Sequence, residues 1–348
     1  MSGWAVGLGM KRVFVTGGTG FIGRHLLEAL PTRGYVVRAL TRRDPPPTSP
    51  PGLEWVPGRL EDPASLRAAL DDCDGVIHLA GLVQARTPEE FFRVNADGTA
   101  RLVEAVAQTG RPMRLIYVSS LAAVGPARDA DAVDETTPPR PVSPYGESKL
   151  RGEIYVRQAP PSVAWTILRP PVVYGPGDRA VLPYFRIAAR GWHVFLGSPD
   201  RRFSLIYVKD LVAGILRVYE CPRTHGETYF IADPAVYTWR DVAETMTRLY
   251  GFDRPRRVTV PTWALWVAAV LLEAGGALRG RPTFFDRDKL RELLEPRWVC
   301  RVDKLVQHTG FRPRYTLVDG FRETIEWYVA HGWIPNVRRP VQVPLSGG

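Results

Sequence analysis

Arg12-Val13-Phe14-Val15-Thr16-Gly17-Gly18-Thr19-Gly20-Phe21-Ile22-Gly23 decides the fold. Arg12–Thr16 has the apolar, β-branched character of a buried strand, and the glycines after it stand at G-x-x-G-x-x-G ahead of a helix expected near Arg24. Each glycine has a task in a phosphate-binding turn. Gly17 permits the tight turn, Gly20 lets the backbone approach a pyrophosphate, and Gly23 lets the helix lie close to the strand. The helix N-terminus then stabilises the anion. Phe21 and Ile22 lie inside this turn and join the glycines as cofactor-binding candidates. A glycine spacing alone says little; a strand before it and a helix after it give it meaning.

Outward from this loop, short apolar strands alternate with helical patterns. Strands are expected at Arg12–Thr16, Val36–Leu40, Leu53–Val56, Gly75–Leu79, Arg114–Val118 and Ala164–Leu168, and helical spacing occupies Ala64–Leu70 and Asn95–Gln108. Such alternation implies an α/β fold, a Rossmann-type doubly wound parallel sheet. After Tyr174 the pattern changes at the turn Gly175-Pro176-Gly177-Asp178. Residues 11–175 therefore read as a dinucleotide-binding domain, and 176–337 mainly as a smaller C-terminal α/β part for substrate. Ser204–Leu216 reads strand–turn–helix, so 204–232 is expected to rejoin the first domain. Residues 1–10 and 338–348 read as flexible tails, and the Pro-rich stretches Asp44–Pro51 and Thr136–Pro144 as loops.

Composition narrows the function classes. With 45% apolar and 24% charged residues, the chain has the make-up of an ordinary soluble globular protein. The net charge of +10 invites a nucleic-acid reading, but only five of the 46 basic residues are Lys and the Arg are scattered. No nucleic-acid-binding motif accompanies them, so no such partner is expected. Cys73, Cys221 and Cys300 are far apart, which suits free thiols in a reducing, cytoplasmic compartment. The six His show no ligand spacing, so no metal is expected. Trp263–Leu272 is an unbroken apolar run of ten residues, too short for a bilayer span of about 20. It reads either as a buried helix or as an interfacial one, in peripheral contact with a membrane or facing a lipid substrate.

Two further clusters carry chemistry. The second strand ends Leu40-Thr41-Arg42-Arg43, with Asp44 beyond it. An acidic residue at the strand end would bond the ribose hydroxyl of NAD, whereas Arg42 and Arg43 suit the 2′-phosphate of NADP(H). NADP(H) is thus the favoured cofactor and NAD(H) the alternative. Downstream, the strand ending at Val118 runs into Ser119-Ser120, and Pro144-Tyr145-Gly146-Glu147-Ser148-Lys149 follows. Tyr145 and Lys149 stand at i and i+4 and share a helix face. A nearby ammonium is expected to lower the phenol's pKa so that Tyr145 can exchange a proton near neutral pH. Lys149 can also bond the nicotinamide ribose. Ser120 would hold the substrate oxygen.

With these residues in hand, the chain resembles the extended short-chain dehydrogenase/reductases, the NAD-dependent epimerase/dehydratase family, over roughly 11–335. The motifs are T-G-G-T-G-F-I-G at Thr16–Gly23, G-V-I-H-L-A-G at Gly75–Gly81, V-N-A-D-G-T at Val94–Thr99, V-S-S at Val118–Ser120, Y-G-E-S-K at Tyr145–Lys149 and L-R-P-P-V-V-Y-G-P-G-D at Leu168–Asp178. The resemblance implies that His78–Gly81, including Leu79, Ala80 and Gly81, lines the cofactor, as do Val118, Pro170, Val172 and Val173. Asn95 supports the same side, and a homodimer is expected. There are departures. Gly58-Arg59-Leu60 replaces the family's G-D-L, whose Asp meets adenine; Leu60 remains a candidate, and Asp62 stands as a substitute for the Asp. Leu121 and Ala122 follow Ser120 where sugar dehydratases carry an acidic pair. Arg179–Pro183 lacks the Asn that helps many epimerases bind a diphosphate.

Three functions follow. The first is an oxidoreductase of a largely apolar secondary alcohol or ketone, similar to the branch of 3β-hydroxysteroid dehydrogenases and dihydroflavonol reductases. Its support is the missing Asn and the Trp-rich run, which is expected to border the substrate cleft. The second is a nucleotide-sugar epimerase with a retained cofactor, supported by Arg179, Arg201 and Arg202 near the expected substrate side. The third is a non-catalytic dinucleotide-binding protein, against which the Ser120–Tyr145–Lys149 set argues.

Overall fold

The computed structural model describes residues 11–44, 49–279 and 287–336, without the side chains of 273, 274 and 276–279. Both expected tails and residues 45–48 of the first Pro-rich loop lie outside the described residues. The strands are β1 (Arg12–Thr16), β2 (Val36–Thr41), β3 (Leu53–Pro57), β4 (Gly75–His78), β5 (Met113–Val118), β6 (Val163–Arg169), β7 (Val172–Tyr174), β8 (Trp192–Leu196), β9 (Arg202–Phe203), β10 (Leu205–Tyr207), β11 (Glu227–Phe230), β12 (Tyr237–Thr238), β13 (Arg256–Val260) and β14 (Arg297–Trp298). The helices are α1 (Phe21–Thr32), α2 (Pro63–Leu70), α3 (Pro88–Phe91), α4 (Gly98–Gln108), α5 (Pro144–Arg157), α6 (Leu182–Ala188), α7 (Val208–Glu220), α8 (Trp239–Tyr250), α9 (Thr262–Arg279), α10 (Arg287–Leu294), α11 (Asp303–Thr309) and α12 (Leu317–Ala330).

Seven strands form one parallel sheet in the order β11-β6-β5-β4-β1-β2-β3. This is the doubly wound Rossmann order with one strand added beyond β6. Because side chains alternate across a strand, β1 sends Val13 and Val15 to one face and Phe14 to the other. On the first face they meet Leu26 and Leu30 of α1 and Leu211 and Ile215 of α7. On the second, Phe14, Val76, Leu115 and Tyr117 pack on Leu66, Leu102, Val106 and Val156 from α2, α4 and α5. Both faces are covered, so the strands read as continuous apolar runs.

Arg114 ties β11's connection to the sheet. Its buried guanidinium donates to the carbonyls of Tyr219 and Val218 and to the hydroxyls of Thr166 and Thr224. Burial lowers its pKa to about 10.

The C-terminal part has its own aromatic core, in which Tyr174, Phe185, Phe321 and Tyr328 join α6, α8 and α12. Small sheets β7–β10, β12–β9–β14 and β8–β13 frame it. A capping box between Thr238 and Asp241 starts α8.

α9 departs from the expectation of a simply buried helix. Leu265 and Ala269 pack on Leu290 of α10, with Leu196 and Val260 beside them. Trp263 is 72% exposed and Leu271 67%. Trp266 packs with Leu265 and Ala269 on the inner face. Among the described residues, no helix is long and apolar enough to cross a membrane.

Candidate active site

The glycine loop joins β1 to α1, and the helix begins at Phe21 rather than near Arg24. Gly20 is the extended N-cap, with φ −76° and ψ 177°. The first ladder bond runs from Arg24 N–H to Gly20 O at 3.1 Å. The N–H groups of Phe21, Ile22 and Gly23 therefore precede the ladder, where a helix presents donors to an anion. Gly17 adopts φ +76°, and a Cβ there would lie 2.6 Å from the Ala80 nitrogen. A Cβ on Gly23 would overlap the Gly17 carbonyl. Side chains are thus excluded from the cradle by backbone on both sides.

The loop is seated from below by His78. Thr99 spends its hydroxyl hydrogen on Asn95 O at 2.7 Å, so its oxygen accepts from His78 Nε2 at 2.9 Å. Nδ1 is then the acceptor for the Thr16 hydroxyl at 2.6 Å, and Thr16 Oγ1 accepts from Ala80 N–H at 3.3 Å. Burial, followed by the nearby Lys149 charge, pushes the imidazole down to about 3 and keeps it neutral. Neutral His78 therefore fixes the spacing of Gly17 against Leu79–Ala80.

At the far end of this groove, Thr41, Arg42, Arg43, Asp44, Arg59 and Asp62 border a cavity of about 370 Å³. Arg59, noted in the sequence only as a departure, is the third guanidinium here. Thr41 Oγ1 bonds the backbone of Arg43 and shapes the strand end. Asp62 also caps α2, accepting from Ala64 N–H at 3.0 Å. Leu60 does not border the cavity; it is buried in the core against Gly98.

The candidate catalytic end is built by β5, β7, α5 and a π-helical turn at Phe92–Asp97. This turn corrects the expected helix start at Asn95, since α4 proper begins at Gly98. It carries Asn95 inward, accepting from Leu82 N–H at 2.7 Å and donating to Leu82 O and Ser148 Oγ at 2.9 Å. A Cβ on Gly81 would lie 3.0 Å from Asn95 Oδ1 and 3.8 Å from Lys149 Nζ, so Gly81, Asn95 and Lys149 converge. Pro170 accepts from Leu121 N–H at 2.8 Å, which holds the Ser120 turn against β7. Val172 is 51% exposed beside it.

Tyr145 lies in the first turn of α5, whose N-cap is Ser143. Phe91 meets its ring edge-on at 5.9 Å. Burial pushes the phenol up to about 12, while a hydrogen bond with Ser120 pulls it down. Lys149 is not among the causes, contrary to the expected depression. Its Nζ donates to Val118 O at 2.7 Å and sits 4.3 Å from the Tyr117 ring centroid. Val118 thus meets the site through its carbonyl. Burial pushes Lys149 down to about 7, and Glu153 opposes that shift.

Glu153 and Glu292 were missed in the sequence. Glu153 accepts from Ser119 at 2.7 Å and from Arg169 at 2.8 and 2.6 Å. Burial alone would raise its pKa, but Arg169 and Ser119 outweigh it and hold the carboxyl low. Its place four residues after Lys149 was the available signal. Glu292 accepts from Ser143 Oγ, and its charge raises the Tyr145 pKa. No sequence pattern links position 292 to 143.

Arg179, Arg201 and Arg202 do not form one cluster. Arg179 stacks 5.2 Å from the Trp333 ring centroid, Arg201 donates to the carbonyls of Leu196 and Leu293, and Arg202 faces Asp131 at 3.9 Å.

Comparison with known proteins adds to this geometry. The profile of the NAD dependent epimerase/dehydratase family matches residues 13–232. The chain is 36% identical to a ceramide reductase of Caulobacter vibrioides, over 93% of this chain and 96% of that one. It is 32% identical to 4-hydroxy-2-methyl-3-oxo-4-farnesyl-3,4-dihydroquinoline-1-oxide ketoreductase of Stigmatella aurantiaca, over 81% of this chain and 91% of that one. Among solved structures, MoeE5 in complex with UDP-glucose and NAD matches with a TM-score of 0.74 and 27% identity, over 92% of this chain and 99% of that one.

Proposed function

The chain belongs to the NAD-dependent epimerase/dehydratase family, and from that premise we propose that it is an NADP(H)-dependent reductase of a ketone on a largely apolar, lipid-like substrate. In this reading the sheet half holds the cofactor and the C-terminal part holds the substrate. The residues fit a dinucleotide. The glycine cradle admits no side chain, and the groove ends in a cavity bordered by three arginines. Phe21, Ile22 and Gly23 would hold the pyrophosphate, Arg42, Arg43 and Arg59 a 2′-phosphate, and Lys149 with Asn95 and Gly81 the nicotinamide side. When bound, a nicotinamide dinucleotide supplies the hydride for carbonyl reduction.

The observation that carries the reading is the pairing of Tyr145 with Ser120 by a side-chain hydrogen bond, with Lys149 one helical turn further along α5. Tyr145 holds its proton at neutral pH and can donate it, as reduction requires. Ser120 would hold the carbonyl oxygen by hydrogen bond while Tyr145 delivers its proton there. Lys149, anchored on Val118 O, would offer a positive charge to the developing alkoxide in its protonated form, which Glu153 favours and burial disfavours. The names of the ceramide reductase and the farnesyl-quinoline ketoreductase support carbonyl reduction on apolar molecules. The similarity to MoeE5, solved with UDP-glucose and NAD, supports a second reading in which the substrate is a nucleotide sugar and the reaction an epimerisation. The dispersal of Arg179, Arg201 and Arg202 speaks against a diphosphate site of that kind.

A substrate screen with the purified protein tests the proposal. Oxidation of added NADPH with long-chain or sterol-like ketones, and none with UDP-sugars, is the expected result. Interconversion of a UDP-sugar without added cofactor would reject it in favour of the epimerase.

A further inference from the structure

We propose that the outer face of α9, with the strand before it, docks the enzyme on an anionic lipid bilayer surface. One stripe of α9 is apolar and bare. Trp263, Val267, Val270 and Leu271 recur at i, i+4, i+7 and i+8, and are 72%, 53%, 50% and 67% exposed. The inner stripe is already satisfied by Leu290, Leu196 and Val260, so the outer one is surplus to the fold. A contiguous bare apolar stripe on an otherwise packed helix marks an interaction surface.

The neighbouring strands extend it. Arg256 pairs with Trp192, Val258 with Val194 and Val260 with Leu196, so these six residues share one face of the β8–β13 sheet. α9 covers the Leu196–Val260 end of that face. The uncovered end shows Val258 and Trp192, 41% and 36% exposed, with the Arg256 guanidinium 4.9 Å from the indole centroid. Arg254 and Arg256 are exposed at this end, while Arg257, also exposed, falls on the sheet's other face. Apolar and aromatic side chains beside these two arginines match an acyl boundary beneath anionic headgroups. No described helix can span a bilayer, so the contact is interfacial.

The face is also joined to the catalytic end, because α10 packs on α9 and its Glu292 bonds Ser143 at the start of α5. Docking there would place the Tyr145 end of the molecule beside a membrane-dissolved substrate. Docking through this face does not depend on which substrate is turned over.

Co-sedimentation of the full chain with sucrose-loaded vesicles tests this. The expected result is at least tenfold stronger partition onto phosphatidylglycerol–phosphatidylcholine vesicles than onto phosphatidylcholine alone. The double variant Trp263→Glu/Leu271→Glu and the separate variant Arg254→Glu/Arg256→Glu should each lower it at least tenfold. NADPH binding and melting temperature, unchanged in both variants, show that they are folded. The proposal is overturned by wild-type protein that ignores the vesicles, by equal binding to both vesicle types, or by folded variants that bind like wild type. It is also overturned if the variants change only the oligomeric state by light scattering, which would make the face a subunit interface.

Discussion

Tyr145, half-buried, and Asp178, buried, are ionisable groups whose desolvation has opposite consequences. For Tyr145 desolvation keeps the proton on, and in the proposed reaction that proton is the one delivered to the carbonyl oxygen. Tyr145→Phe preserves the ring contact with Phe91 and removes the donor, so turnover should fall at least ~100-fold, the usual worth of a positioned acid, with NADPH affinity unchanged. Steady-state kinetics beside cofactor titration check this; more than a tenth of wild-type turnover would remove Tyr145 from the mechanism. Asp178 is buried in the G-P-G-D turn, and its Oδ2 has no hydrogen-bond partner. Oδ1 accepts from Ala180 N–H at 2.7 Å. Burial raises the carboxyl from 3.8 to about 6. Because the folded-state value is the higher one, folding favours the protonated form. The contribution of Asp178 to stability is therefore most favourable below about pH 4, is lost as pH rises to about 6, and stays lost above it. Asp178→Asn should gain up to about 3 kcal/mol at pH 8 and nothing at pH 4. Urea unfolding at the two pH values decides; an equal effect at both would mean that burial of the charge is not what matters. Tyr145 and Lys149 were legible in the sequence because their spacing fixes a shared helix face. The direction of Lys149's ammonium was not, since it depends on the Val118 carbonyl, brought close only by the sheet.

At the scale of elements, periodicity and chemistry were legible to different degrees. The strands of the parallel sheet announced themselves because both faces are buried and the runs are apolar throughout. The start of α1 was misplaced because Gly23 looks like a loop residue, yet it lies inside the helix, where backbone of the preceding turn leaves no room for a Cβ. The π turn at Phe92–Asp97 was hidden for a similar reason: an extra residue per turn leaves no mark on composition, and only the inward aim of Asn95 shows its use. The cavity at the ends of β2 and β3 is another product of assembly. Arg42 and Arg43 follow β2, while Arg59 arrives from the loop after β3, seventeen positions on from Arg42. If these guanidiniums receive a 2′-phosphate, Arg59→Ala should weaken NADPH binding by about 1.5–3 kcal/mol, and Arg42→Ala/Arg43→Ala by a similar amount per bond lost. NADH binding should hardly change. Isothermal titration with both cofactors separates the cases, and equal weakening of the two would reduce the arginines to surface charge.

At the scale of the whole molecule, the two parts meet at a contact that spans 149 positions in the chain, between Glu292 on α10 and Ser143 at the cap of α5. Ser143 gives its hydroxyl hydrogen to Glu292 and accepts from Gly146 N–H at 3.2 Å, so the C-terminal part helps to hold the first turn that carries Tyr145. The cofactor cradle is built separately, from β1, α1 and the segment after β4. That separation gives a sharp expectation. Glu292→Ala should leave NADPH affinity unchanged while lowering kcat by about tenfold or more, because a small displacement of the acid is costly in rate. Glu292→Gln keeps an oxygen acceptor for Ser143 and should recover most of the rate. It also removes the negative charge that raises the Tyr145 pKa, so the alkaline limb of its pH–rate profile should move to lower pH. A purely structural role for Glu292 would give a different pattern: melting temperature and cofactor affinity would fall together in the Ala variant, and the Gln profile would overlay the wild type. Loss of kcat with intact cofactor binding, restored in the Gln variant with a shifted limb, would mean that the substrate-side helices set the position and acidity of the proton donor from outside the sheet that bears it.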